Sequence, residues 1–228
     1  MITLSDQILQ ALRIAAKPEK VAVLSRFFKT GKGQYGEGDR FLGVMVPQTR
    51  QVARQFKDVP LCLVEELLSS EWHECRLCAL LILIEKYKNT PVQEIVDFYL
   101  AHTRGVNNWD LVDLSAPYLL GQHLLSQEDH SVLYRLAQSS VLWEQRIAMV
   151  STLMLIRNGK FEDTINLAEF FIDARHDLMQ KAVGWMLREV GKRDELLLIN
   201  FLNSHSRKMP RTMLRYAVER LVPEKRPR

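Results

Sequence analysis

The sequence predicts an all-α chain organised as a helical-repeat solenoid, an α-α superhelix with one concave face. Three observations predict it. No stretch of the 228 residues alternates apolar and polar side chains with the period of two that a half-buried strand requires. Apolar residues instead recur at helical spacing, punctuated by proline at helix starts and glycine at helix ends. Five segments also align with one another: RLCALLIL from Arg76, DLSAPYLL from Asp113, RIAMVSTL from Arg146, KAVGWMLR from Lys181 and RYAVERLV from Arg215, at steps of 37, 33, 35 and 34 residues. A helix pair repeated at that period cannot bury its apolar face alone, so successive pairs stack. A plain multi-helix globule is the alternative.

Along the chain, SDQILQALRIAA (5–16) is a helix opening on a serine cap, and Pro18 begins a second helix to about residue 29. TGKGQYGEGD (30–39) carries four glycines and no apolar periodicity, which predicts a flexible loop or hairpin. It lacks the G-K-[ST] ending and preceding strand of a phosphate loop. Helices then run from Pro47 to Phe56, from Pro60 to Leu68, over 71–87, and from Pro91 to about His102. A helix over 107–121 ends at Gly121. A Ser-x-x-Asp capping signature opens 126–138, and VLWEQRIAMVSTLMLIRN (141–158) closes at Gly159. Four further helices, over 161–173, 176–192, 193–205 and 209–222, complete one domain spanning 1–228.

With 47% hydrophobic residues the chain can bury a sizeable core. It has no apolar run near the ~20 residues a membrane span needs. MITLSDQILQ lacks the basic and apolar regions of a signal peptide, and the three cysteines are an odd number, so a reducing, cytoplasmic setting is expected. The formal charge of +4 hides an asymmetry: residues 175–228 hold thirteen Lys/Arg against six Asp/Glu, a net of +7, which leaves −3 over the first 174. A basic C-terminal third suits a polyanion such as nucleic acid, or is a solvated helical surface with a basic tail.

In the aligned segments the first column reads Arg76, Asp113, Arg146, Lys181, Arg215: one acid in a ladder of bases. If the ladder lines one groove, a carboxylate there weakens phosphate binding, but it suits a site where positive charge develops during a reaction. Trp109 lies four residues before Asp113, on the same helix face, and Trp185 four after Lys181. Trp185 is either a stacking partner for bases or sugar, or a core residue. Arg146 suits a bidentate phosphate grip, or an internal pair with Glu144 or Asp113. Cys75 and Cys78 with His73 offer three badly arranged ligands, short of the four of a structural zinc site, so no metal is expected.

At NNWDLVDLSAPYLLG, LWEQRIAMVSTL (142–153) and QKAVGWMLRE (180–189) the chain resembles the DNA alkylation repair glycosylases of the AlkD family, and its helix spacing agrees from about residue 5 to 223. The resemblance implies a superhelix of HEAT-like repeats holding duplex DNA on its concave face. It implies excision of positively charged N3- and N7-alkylated purines, 3-methyladenine and 7-methylguanine, from alkylated DNA, without a cofactor and without the base entering a pocket. It places the catalytic carboxylate on Asp113, the sugar-flanking tryptophans on Trp109 and Trp185, and the phosphate-gripping arginine on Arg146. An aromatic that is tyrosine in some members falls on Phe27. Candidate DNA contacts are therefore Arg146, Lys181, Arg188, Arg215, Arg76 and Phe27, in a monomer. A non-catalytic module binding DNA of unusual structure, and a protein–protein scaffold, are the alternatives.

Overall fold

Residues 3–90 and 92–226 are described in a computed structural model. The described residues are all-α, as the periodicity predicts; the one bridge among them is the isolated pair Arg40–Trp72. They form two compact units, residues 1–115 and 116–228.

The first unit contains α1 (Leu4–Ala15), α2 (Pro18–Phe27), α3 (Val46–Gln55), α4 (Leu61–Leu68), α5 (His73–Asn89), α6 (Gln93–Ala101), a 3-10 turn (Thr103–Gly105) and α7 (Trp109–Ser115). Helix α5 is its centre. Every residue from His73 to Ile84 is buried, because an apolar surface on all sides demands neighbours on all sides. Helices α3, α4, α6 and α7 pack on it, and α1 closes over α3, α4 and α5. Two caps differ from expectation. Thr3, not Ser5, caps α1: its hydroxyl accepts the Asp6 N–H at 3.1 Å and its own N–H donates to the Asp6 carboxylate at 3.0 Å, a capping box. Pro60 stands just outside α4 as its cap residue. Pro91, the expected start of α6, lies outside the described residues.

The segment 30–39 is not a hairpin but a run of tight turns. Gly36 N–H donates to the Lys29 carbonyl, Asp39 N–H to the Gly36 carbonyl, and Gly33 N–H to the Glu37 carboxylate. Downstream of it, the N–H groups of Leu42, Gly43 and Val44 all donate to the buried Glu74 of α5, at 2.9, 2.8 and 3.0 Å.

The second unit opens with a π-helical turn, Pro117–Gly121, followed by α8 (Gln122–Leu124), α9 (Ser131–Ala137), α10 (Leu142–Arg157), α11 (Glu162–Phe170), α12 (Asp177–Gly191), α13 (Glu195–His205), α14 (Arg211–Ala217) and a 3-10 turn (Pro223–Lys225). Alternate helices stack as a repeat requires: α10 on α12 and α12 on α14, with α9, α11 and α13 packed against that layer. The first unit has the same pattern, with α3, α5 and α7 as the stacked layer.

Two readings of this region are corrected. The expected 107–121 helix begins only at Trp109, and Gly121 does not end it. The Gly121 N–H reaches back five residues to the Ala116 carbonyl at 2.9 Å, and helix resumes at Gln122. Glycine is needed there because a Cβ would lie 2.2 Å from the Ser151 carbonyl oxygen of α10. The Ser126-x-x-Asp129 signature caps nothing. Asp129 instead accepts from the N–H and hydroxyl of Ser131, at 2.8 and 2.9 Å, and α9 starts at Ser131.

Candidate active site

Helix α7 carries the candidate chemistry. Its entry is set by the fully buried Asn108, whose side-chain oxygen accepts the Trp109 N–H at 2.8 Å. Trp109 and Asp113, one turn apart and both half-buried, line the same cavity of about 380 Å³. The other walls are mainly apolar: Leu24, Phe27, Phe28, Phe41, Met45 and Leu114 among them. The aromatic walls touch one another. Phe28 stacks on Trp109 with ring centres 5.3 Å apart, and Phe27 meets the same indole edge-on at 5.7 Å. Phe27 itself is 60% exposed, an unusual position for a phenylalanine and a suitable one for contact with a ligand. The Tyr35 hydroxyl donates to the Phe27 carbonyl at 3.4 Å, so the glycine-rich segment borders this wall.

Three carboxylates line the cavity: Glu74, Asp110 and Asp113. Glu74 is committed to the three backbone N–H groups described above. Asp110 accepts from His73 Nε2 at 2.9 Å. His73 is buried at 2% exposure, and its Nδ1 lies 2.7 Å from Asp39 Oδ2. A carboxylate on each ring nitrogen makes both nitrogens donors, which is the imidazolium form. Burial pushes the His73 pKa down, but the hydrogen bonds and charges of Asp110 and Asp39 outweigh it and lift it to about 9. Burial likewise raises the Asp39 carboxyl, and His73 with Arg76 more than reverses that, holding it below the usual range.

Arg76 belongs to the same cluster. It is 5% exposed, and its guanidinium is spent on Asp39 at 2.5 Å, the Ser70 carbonyl at 2.7 Å and Asn107 Oδ1 at 3.2 Å. An arginine held in this way ties the loop to α5. Cys75 and Cys78 are buried beside it; burial pushes the Cys75 thiol up to about 11 and the Cys78 thiol higher, so both serve as packing.

In the second unit, Arg146 of α10 is 4% exposed and donates to the Leu178 carbonyl at 2.5 Å. Lys181 is partly exposed and pairs with Asp177 at 2.7 Å. Arg188 of α12 pairs with Glu219, just beyond α14. Arg215 is exposed and lies over the Tyr216 ring at 5.8 Å. The ladder is therefore not a uniform row of displayed cations: Arg76 and Arg146 are buried, and the others are at the surface. Trp185 is half-buried, and its indole donates to Glu189 one turn on.

A family model described as DNA alkylation repair enzyme matches residues 8–221. The chain belongs to the DNA alkylation repair enzyme family. No curated protein matches it. A solved structure described as a predicted DNA alkylation repair enzyme from Enterococcus faecalis has the same fold, with a TM-score of 0.74 over 91% of this chain and 97% of that one, at 19% identity. This member of the DNA alkylation repair family has no helix, among its described residues, long and apolar enough to cross a membrane.

Sequence reasoning missed Asp39, Glu74, His73 and Asp110. A signal for two of them was present: His73 and Glu74 enter a helix that is apolar on every side, and buried polar groups require partners.

Proposed function

We propose that this DNA alkylation repair protein is a DNA glycosylase that hydrolyses the N-glycosidic bond of positively charged N3- and N7-alkylated purines, 3-methyladenine and 7-methylguanine, in duplex DNA. The observation that carries the reading is the cavity in which Asp113 and Trp109 face the same space beside the exposed Phe27.

The chemistry follows from the substrate's charge. An N3- or N7-alkylpurine is already cationic, so its departure as a neutral base needs no general acid. As the glycosidic bond lengthens, positive charge moves to the deoxyribose. A carboxylate at the sugar stabilises that oxocarbenium-like state and orients the attacking water. Glu74 is held by backbone N–H groups and Asp110 by His73; Asp113 shares its helix face with Trp109 and lines the same cavity, and that task is assigned to it. The electron-rich face of Trp109 would stabilise the developing cation at the sugar.

Phosphate binding falls to the basic second unit. Arg215 and the exposed Arg207, Lys208 and Arg211 supply surface charge. Lys181 and Arg188 can exchange their carboxylate partners for phosphate, since surface pairs are weak. Arg146, oriented by its bond to Leu178, would give a fixed guanidinium for one phosphate.

The test is incubation with methylated duplex DNA and chromatographic detection of freed bases. Release of 7-methylguanine supports the reading. DNA binding without release points to a non-catalytic module, and absence of salt-sensitive DNA binding to a protein scaffold.

A further inference from the structure

The glycine-rich segment and the helix bearing Trp109 and Asp113 are far apart in sequence, yet both end on one imidazole. We propose that His73 is a positioning residue: by clamping Asp110 of α7 to Asp39 of the 30–39 segment, it fixes the orientation of the helix that presents Trp109 and Asp113 and couples that helix to the loop. The assignment rests on the glycosylase reading for its activity readouts only; the clamp itself is a statement about structure.

Asp110 is buried, its Oδ2 takes the His73 proton donor at 2.9 Å, and its Oδ1 is buried with no hydrogen-bond partner among the described residues. A buried carboxylate with one ionic partner is costly once that partner is neutral, because its charge is then uncompensated. Asp110 follows Trp109 directly and precedes Asp113 by one turn. Any rotation of α7 that brings Asp110 to water therefore carries both cavity residues with it. On the other side, Asp39 receives His73 at 2.7 Å, Arg76 at 2.5 Å and the Asn108 amide at 3.4 Å, so the loop end accepts both from α5 and from the residue leading into α7. Asp110 from α7 and Asp39 from the loop are the charged groups facing His73. Phe28, after α2, and Phe41, after the loop, face it with rings at 5.0 and 4.6 Å. On α5 itself, Glu74 is taken by backbone N–H groups and Arg76 by Asp39.

The experiment combines hydrogen exchange with kinetics on the full chain, using wild type across pH 6–10 together with His73→Gln and Asp110→Asn. The clamp predicts that exchange rises about tenfold or more in 109–115 and 30–39 together, while α10 is unchanged. It also predicts that single-turnover base release falls on the order of 10²-fold with duplex Kd held within about twofold, as for a misplaced catalytic group. Wild type should show the same paired loosening and loss of rate as pH passes the His73 ionisation, and the pH effect should be absent from His73→Gln. If His73→Gln does not fold, wild type across pH and Asp110→Asn decide the matter. Loosening of one segment without the other, or a rate and pH profile in His73→Gln equal to wild type, overturns the proposal. If wild type releases no base at all, the glycosylase reading fails, and the exchange data still decide the clamp.

Discussion

His73 Nε2 lies 2.9 Å from Asp110 Oδ2, a bond that joins the most buried helix of the first unit to the helix of the candidate carboxylate. Its partner bond to Asp39 gives the imidazole a carboxylate on each side. The two carboxylates outweigh burial and lift the His73 pKa to about 9, above the ordinary 6.5.

A raised folded-state pKa means that the native protein holds the proton more tightly than the unfolded chain. The stabilisation is complete below about pH 6.5 and is lost as pH rises through about 9, an effect on the order of 3 kcal/mol. Urea unfolding at a series of pH values should show this decline in wild type and a flatter profile over the same window in His73→Gln.

Glu74 supports three backbone N–H groups with one carboxylate. Glu74→Ala leaves those donors unmatched and should cost at least about 2 kcal/mol. Glu74→Gln keeps one acceptor oxygen and should cost less. Thermal unfolding of the two variants separates the outcomes.

Gly184, in the QKAVGW motif, brings α12 against α14 so closely that a Cβ would sit 2.5 Å from the Met213 carbonyl oxygen and 2.6 Å from Tyr216 Cβ. Gly184→Ala should destabilise by about 1–3 kcal/mol through overpacking, although alanine is the better helix former. A rise in Tm would contradict the packing described.

Most of the fold was legible because it is local. Helical periodicity, Pro18, the apolar run of α5 and Gly159 each act within a few residues of where they stand. The errors were also local: Ser5 and Ser126 look like caps, but Thr3 and Asp129 hold the backbone there. At the candidate site, Asp113 could be picked out as the one acid in the aligned column, and Trp109 because it shares that helix face. The cluster of Asp39, His73, Arg76 and Asp110 could not. Asp39 lies 34 and 37 residues from His73 and Arg76 of α5, and Asp110 lies 37 from His73; Asp39 sits in a segment whose glycines suggested only flexibility. The ion pair of Arg76 with Asp39 was hidden for the same reason: the counter-charge is remote in sequence.

Binding to unmodified duplex should weaken steeply with salt, each phosphate contact contributing a slope of about −0.9 in log K against log salt. Replacing Arg207, Lys208 and Arg211 by alanine should flatten that slope by about two to three units, with the rate on bound methylated DNA unchanged. An equal slope in the variant would remove these residues from the interface.

Asp113 is proposed to stabilise the cationic sugar. The most direct test is single-turnover release of 7-methylguanine from methylated duplex by wild type and Asp113→Asn at saturating protein. The expected result is release by wild type, a fall on the order of 10²–10³-fold in the variant, and duplex binding within about twofold of wild type. Release by Asp113→Asn at the wild-type rate would contradict it.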